Sequence, residues 1–231
     1  REVVRVVTPG TVIEPNLLKN DQNNYLVSVL FDETKTGIAY VDISTGEFRA
    51  TEIQSREPYS ELRSEILRLK PAEIIVPETL KLTEDLSVHI TKYAGWHFEP
   101  IRSEEKLKSH FNVATLDGFG IKGQTLAIQA AGAVIDYLAD TQPAALKLLS
   151  HISNYSTSEF MNLDASTRRN LEITETIRRN ETKGSLLHVL DYAVTPIGKR
   201  LLRQWVSQPL LNIDEIYVRQ NAVQVLFEKG L

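Results

Sequence analysis

The chain has 231 residues, 42% of them hydrophobic and 24% charged, with a net charge of −4 and no cysteine. These values suit one large or two ordinary globular domains, and they exclude disulfides and thiolate metal sites. No apolar run nears the ~18 residues of a membrane span, and no charged-then-apolar leader is present. The expectation is a cytoplasmic protein with no membrane partner.

The acidic excess lies before residue 164; after it, Lys and Arg slightly outnumber Asp and Glu. Neither part has the strongly basic balance of a self-sufficient nucleic-acid binder. The chain starts at Arg1 and its one methionine is Met161, so it reads as a piece of something longer.

Val3 to Val7 suits a short strand or extended linker, stopped by Pro9-Gly10. Tyr25 to Phe31 is almost continuously apolar, as in a strand buried on both faces, and Ile38 to Ile43 is similar. Gly46 to Ile53 partly alternates, as a strand with one wet face would. The short, turn-rich links between the three predict an antiparallel meander. The period then changes. Pro58 suits a first helical turn, Leu62, Ile66 and Leu69 recur at helical spacing, and Pro71 stops the helix. Glu73 to Val76 is predicted as a buried strand, Glu84 to Tyr93 as a helix, Trp96 to Pro100 as a strand, and a further helix starts at Ser103. The order is β-β-β-α-β-α-β-α.

From Gln124 the pattern is helical, with Leu126, Ala130, Val134, Tyr137 and Leu138 on one stripe. Ile152 to Leu163 is irregular and extended, a seam between domains. Asp164 is placed to cap the next helix. Ser185 to Leu190 is helical. Thr195-Pro196 opens another helix, where Gly198 beside Leu201, Leu202 and Trp205 implies close approach of a neighbouring helix. Asn212 with Glu215 resembles a capping box before a last helix that runs to the end.

Gly118, Gly120 and Gly123 fit G-x-G-x-x-G. A dinucleotide fingerprint must follow a strand and open a β-α-β unit, whereas here a helix and loop precede it. The phosphate-loop alternative has Gln124 where lysine is required. The motif is therefore expected to be a glycine-rich approach to a helix. The five histidines have no i, i+3 or i+4 partners, so no zinc helix motif exists, and each is expected at the surface or as a satisfied core group.

A meander followed by α-β-α-β-α resembles the ribonuclease-H-like fold, whose active nucleases hold two Mg²⁺ between converging carboxylates. Asp32, Glu61 or Glu65, and Glu78 would be the candidates here, which makes a metal-dependent nuclease or resolvase the alternative function. Asp32 also suits a turn, and Glu61 and Glu65 a solvated helix face. Arg168-Arg169 and Arg178-Arg179 are candidate phosphate contacts. Ten residues apart is about 280° around a helix, so the pairs would not share a stripe.

The last third carries a resemblance. Leu163-Asp164-Ala165, Thr167-Arg168-Arg169-Asn170-Leu171-Glu172, Gly184-Ser185-Leu186-Leu187, Leu190-Asp191, Gly198, Arg200-Leu201-Leu202, Trp205 and Gln208-Pro209-Leu210 resemble the opening of the core domain in MutS-family DNA mismatch-repair proteins. Upstream, Val3 to Thr11, Gly37 to Phe48 and Thr115 to Gly120 are similar too. The resemblance implies an α/β connector domain over residues 11–115, ribonuclease-H-like with a mixed sheet flanked by helices but without nuclease activity. Residues 1–10 would be a linker, and residues 116–231 the first part of an all-α core or lever domain. It also implies a non-enzymatic module with no cofactor of its own, ATP and Mg²⁺ being held by a C-terminal Walker domain of the parent. That module would couple mismatched-DNA binding to the ATPase and offer a docking surface for MutL. The parent would be a homodimer. The C-terminal helices, cut off from their partners, are expected to expose apolar surface and to self-associate or be poorly ordered.

Overall fold

A computed structural model describes residues 6–82, 86, 88–161 and 163–229. Two compact units divide between Tyr155 and Ser156. The part of the Val3–Val7 expectation on residues 3–5 lies outside the described residues, and Val6 and Val7 are exposed and not in a strand.

The first unit is a six-stranded mixed sheet in the order β5-β4-β1-β2-β3-β6. The meander is as expected: β1 (Tyr25–Phe31), β2 (Lys35–Asp42) and β3 (Glu47–Gln54) pair antiparallel, with Val27 opposite Tyr40 and Ala39 opposite Ala50. Gly46, at φ +74°, allows the β2–β3 turn. Helix α1 (Pro58–Leu69) ends where Lys70 turns left-handed and donates its N–H to the Ile66 carbonyl, and Pro71 bars a further turn. It carries the chain to β4 (Glu73–Pro77), which pairs parallel to β1.

Two expectations fail next. His89–Tyr93, read as the end of a helix, is strand β5, parallel to β4. The preceding residues 83–85 and 87 lie outside the described ones. Ladder bonding along β4 outweighs a helical spacing that was weak over so short a run. Trp96 to Pro100, read as a strand, is a 3-10 turn over Gly95–Phe98 leading into α2 (Pro100–Phe111). Pro100 lacks the N–H a ladder needs and suits the first turn of a helix.

Helix α3 (Thr125–Thr141) crosses the same sheet face as α2, and Ala127, Ala130, Ala131, Ala133, Val134 and Leu138 are fully buried there with Leu26, Ala39 and Ile75. The opposite face holds Val27, Val29, Ile38 and Ile74 beneath Leu62 and Ile66 of α1. Small residues set the approach of α3. A Cβ on Gly37 would lie 2.3 Å from the Leu126 carbonyl carbon, and one on Gly132 would lie 2.4 Å from Ser103 Cβ. The N-terminus of α3 is capped from the sheet. Leu126 N–H donates to Glu52 Oε2 at 2.9 Å, and Glu52 N–H donates to Gln124 Oε1 at 3.1 Å. The unit thus extends through residues 116–155, which the sequence assigned to the helical core. It closes with β6 (Ser153–Asn154), parallel to β3.

Ser28, in the middle of β1, is fully buried, and its hydroxyl has no hydrogen-bond partner among the described residues. An orphaned buried hydroxyl costs more than a methyl in the same place. Ser28→Ala is therefore expected to leave stability unchanged or raise it by about 1 kcal/mol, read from the midpoint of urea denaturation at constant slope.

The second unit consists of α4 (Ala165–Asn170), α5 (Leu186–Leu190), α6 (Pro196–Ser207) and α7 (Ile213–Lys229). Three of their four caps were expected from the sequence, and Ser185 is the fourth. Asp164 accepts from Thr167 N–H at 2.6 Å, Ser185 from His188 N–H, Thr195 from Gly198 N–H, and Asn212 from Asp214 and Glu215 N–H. A bridge of Phe160 with Leu210 ties the incoming segment to the α6–α7 link. Gly198 does not receive a neighbouring helix: the nearest atoms to a Cβ there are Thr195 Oγ1 and Ala193 Cβ, from the segment that leads into its own helix. No residue of α6 or α7 is buried, and Ile197, Val223 and Phe227 stand in the open, Phe227 at 87%.

Candidate functional site

The most organised polar cluster lies where β5, the 3-10 turn, α2 and α3 meet. Asp136 sits among the apolar residues of α3 and is almost fully buried. Its Oδ2 faces His97 Nδ1 at 2.9 Å and accepts from Arg102 Nε at 3.1 Å, while Oδ1 pairs with Lys106 Nζ at 2.7 Å. Burial pushes this carboxyl up, but the hydrogen bonds from Lys106, His97 and Arg102 outweigh it and hold Asp136 below the usual carboxylate range. His97 is sandwiched between Tyr93, with ring centroids 3.7 Å apart, and Trp96, at 3.4 Å. The Arg102 guanidinium lies over the Trp96 ring at 4.4 Å.

The result is an outward-facing indole that cannot easily move. Trp96 is 49% exposed, and Ile101, in the first turn of α2, is 76% exposed. Arg102 and Lys106, each with about two-fifths of its side chain exposed, turn their charged ends to Asp136. A rigid Trp beside an Arg is the composition of a protein-binding anchor. It has nothing in common with a nucleophile and base, and no metal-binding cluster of His, Cys, Asp or Glu exists among the described residues.

The carboxylates of the nuclease alternative do not converge. Asp32 accepts from the N–H groups of Thr34 and Lys35 at 3.0 and 2.8 Å, a turn role. Glu65, expected on a solvated face, is buried and bound to Arg68 and to the Tyr155 hydroxyl. Glu78 is exposed past the end of β4. Gly120 and Gly123 adopt φ of +74° and +76° in turns ahead of α3, as expected of a glycine-rich approach. Of the histidines, His97 and His110 are satisfied within the fold, His110 Nε2 lying 2.8 Å from the Leu149 carbonyl oxygen, while His89, His151 and His188 are exposed.

Arg168 donates from Nε to the Leu163 carbonyl at 3.1 Å and from Nη1 to the Ser207 carbonyl at 2.8 Å. Arg169, at the end of α4, and Arg178 and Arg179, in a later turn, are exposed. The helix stops at Asn170, and Glu172 and Asn180 take positive φ, so the two pairs sit on separate features.

Among the internal carboxylates that escaped sequence analysis are Asp136 and Glu73. Each is a single acid inside an apolar run, AVIDYL and EIIV, and that was the available signal. Glu73 is fully buried and accepts from Tyr137 Oη at 2.6 Å. Burial and that bond push the Tyr137 hydroxyl up to about 12.

Comparison with known proteins agrees with this geometry. Residues 24–164 match the model of MutS domain II, and residues 166–231 that of MutS domain III. A DNA mismatch repair protein MutS of Dehalococcoides mccartyi strain CBDB1 is 45% identical over the whole chain, which covers 27% of that relative. The MutS of Alkaliphilus oremlandii is 44% identical over 98% of the chain and 27% of its own length, and that of Methanococcoides burtonii 41% over 98% and 26%. The chain thus spans about a quarter of the length of these relatives. With both units matched from Asn24 to the end, it belongs to the MutS family and carries that family's domains II and III.

Proposed function

We propose that this chain is the connecting part of a DNA mismatch repair protein. In this reading a rigid α/β unit and the start of a helical core carry the state of an ATPase to the grip on mismatched duplex DNA. ATP and Mg²⁺ would be bound elsewhere in a homodimeric parent, and the chain itself would catalyse nothing. Arg168 and Arg169 on α4, and Arg178 and Arg179 in a separate turn, are the cations offered for DNA phosphates. What supports a mechanical role is the match to MutS domains II and III along the chain.

The same unit is proposed to dock MutL, and the observation that carries this is the locked Trp96 with Ile101 on the first turn of α2. Aromatic and Arg anchors held in one conformation before binding lose little entropy on association. Ile101→Glu and Trp96→Ala are expected to weaken MutL binding about tenfold or more, in biosensor titrations with circular dichroism unchanged. Binding at the parental affinity by both variants would place the docking surface elsewhere. Mg²⁺-dependent cleavage of branched or hybrid nucleic acid that Asp32→Asn abolishes would instead revive the nuclease alternative.

A further inference from the structure

Glu73 opens β4, and its carboxylate joins four separate stretches of chain. Oε2 accepts from the Gly10 backbone N–H at 2.9 Å. Oε1 accepts from Thr91 Oγ1 of β5 and Tyr137 Oη of α3, each at 2.6 Å. A carboxylate only accepts, and it meets three donors here, so every bond points the same way. Burying an acid at a strand position is expensive compared with burying valine or isoleucine. The sheet would have closed over an aliphatic side chain as well. What the acid adds is its hold on the Gly10 peptide.

The segment it holds is itself a tight knot. Thr8 N–H donates to Thr11 Oγ1 and Thr11 N–H to the Thr8 carbonyl, both at 3.0 Å, and Asn24 Nδ2 donates to the Pro9 carbonyl at 3.0 Å. Gly10 and Thr11 are buried. Only glycine fits at position 10, because a Cβ would stand 2.9 Å from both Glu73 Cβ and Leu26 Cδ1.

We propose that Glu73 is a carboxylate clip, fastening residues 8–11 to β4, β5 and α3 so that movement of the chain ahead of Thr8 turns the whole sheet unit. The joint is a fixed crank rather than a loose hinge. This role rests on the coupling reading above, whereas the fastening itself does not.

The test uses the full-length parent with Glu73→Gln, which turns an acceptor into a donor facing donors, and Gly10→Ala, which expels the strap by its methyl group. Amide exchange over residues 6–12 is expected to rise about tenfold or more in both, with exchange in α3 and β2 unchanged. ATP-triggered release from mismatched DNA is expected to slow several-fold, with separate DNA and ATP affinities unaltered. Tyr137→Phe removes one donor and leaves the Gly10 bond, so the strap stays protected. Unchanged strap exchange in both variants overturns the clip. Equal acceleration throughout the sheet reduces Glu73 to a fold-supporting residue and overturns it too. A freed strap with parental release kinetics overturns the crank. A wild-type parent that shows no ATP-triggered release rejects the coupling reading and the crank with it, while strap exchange still decides the fastening.

Discussion

Gly37→Ala is expected to destabilise the first unit by on the order of 3 kcal/mol, more than most single substitutions. The added methyl would sit 2.3 and 2.4 Å from the carbonyl carbon and oxygen of Leu126, and 2.6 Å from Leu126 Cβ. Two of those atoms are backbone in the first turn of α3, so no rotamer change makes room. Either α3 lifts from β2 or β2 bends away from its neighbours. Both movements disturb the pair of bonds linking Glu52 with Leu126 and Gln124. The measurement is urea denaturation followed by tryptophan fluorescence and far-UV circular dichroism. A variant within about 0.5 kcal/mol of the parent would show that α3 has slack on the sheet.

Arg68→Ala is expected to cost about 3–5 kcal/mol by leaving Glu65 charged and buried without its cation. Arg68 Nε donates to Glu65 Oε1 at 3.1 Å and to Oε2 at 3.0 Å, and Nη2 to Oε2 at 2.6 Å. Burial works against the Arg68 charge, but the adjacent carboxylate more than compensates and raises its proton affinity. The guanidinium also lies 6.0 and 5.6 Å from the Tyr40 and Tyr155 ring centres, and the Tyr155 hydroxyl donates to Glu65 Oε2 at 3.3 Å. Removing the arginine therefore strips packing from two tyrosines as well as charge from one acid. The double change Glu65→Leu with Arg68→Met is expected to recover most of the loss, since an apolar pair needs no compensation. Thermal or urea unfolding of the single and double variants decides it: a double variant no better than Arg68→Ala would mean that the cost is packing alone.

Much of the architecture was legible because it is written in local signals. Pro58 and Pro71 bracket α1, Asp164, Thr195 and Asn212 cap three helices, and the near-continuous apolar runs of β1 and β2 announce a doubly covered sheet. The errors fall where pairing partners decide. His89–Tyr93 becomes a strand because β4 offers it a ladder, and no window of sequence contains β4 and β5 as neighbours. The same limit misplaced α3. Its stripe correctly predicted a helix, but only the glycine at position 37 of β2 shows which surface it lies on. The candidate site was least visible. Trp96 drew attention as part of a supposed strand, whereas its stiffness comes from Asp136, forty residues on. The docked carboxylate of Glu73 likewise depends on Gly10 and Tyr137, each more than sixty positions away.

The placement of α3 also bears on how the chain is made. The apolar floor formed by Leu26, Ala39 and Ile75 is complete once β4 has been synthesised, yet its principal cover lies in Thr125–Thr141. A ribosome-bound chain that stops before Thr125 exposes that floor to water, and contacts so distant in sequence close slowly. Between the synthesis of β4 and that of α3, this floor lacks its principal cover.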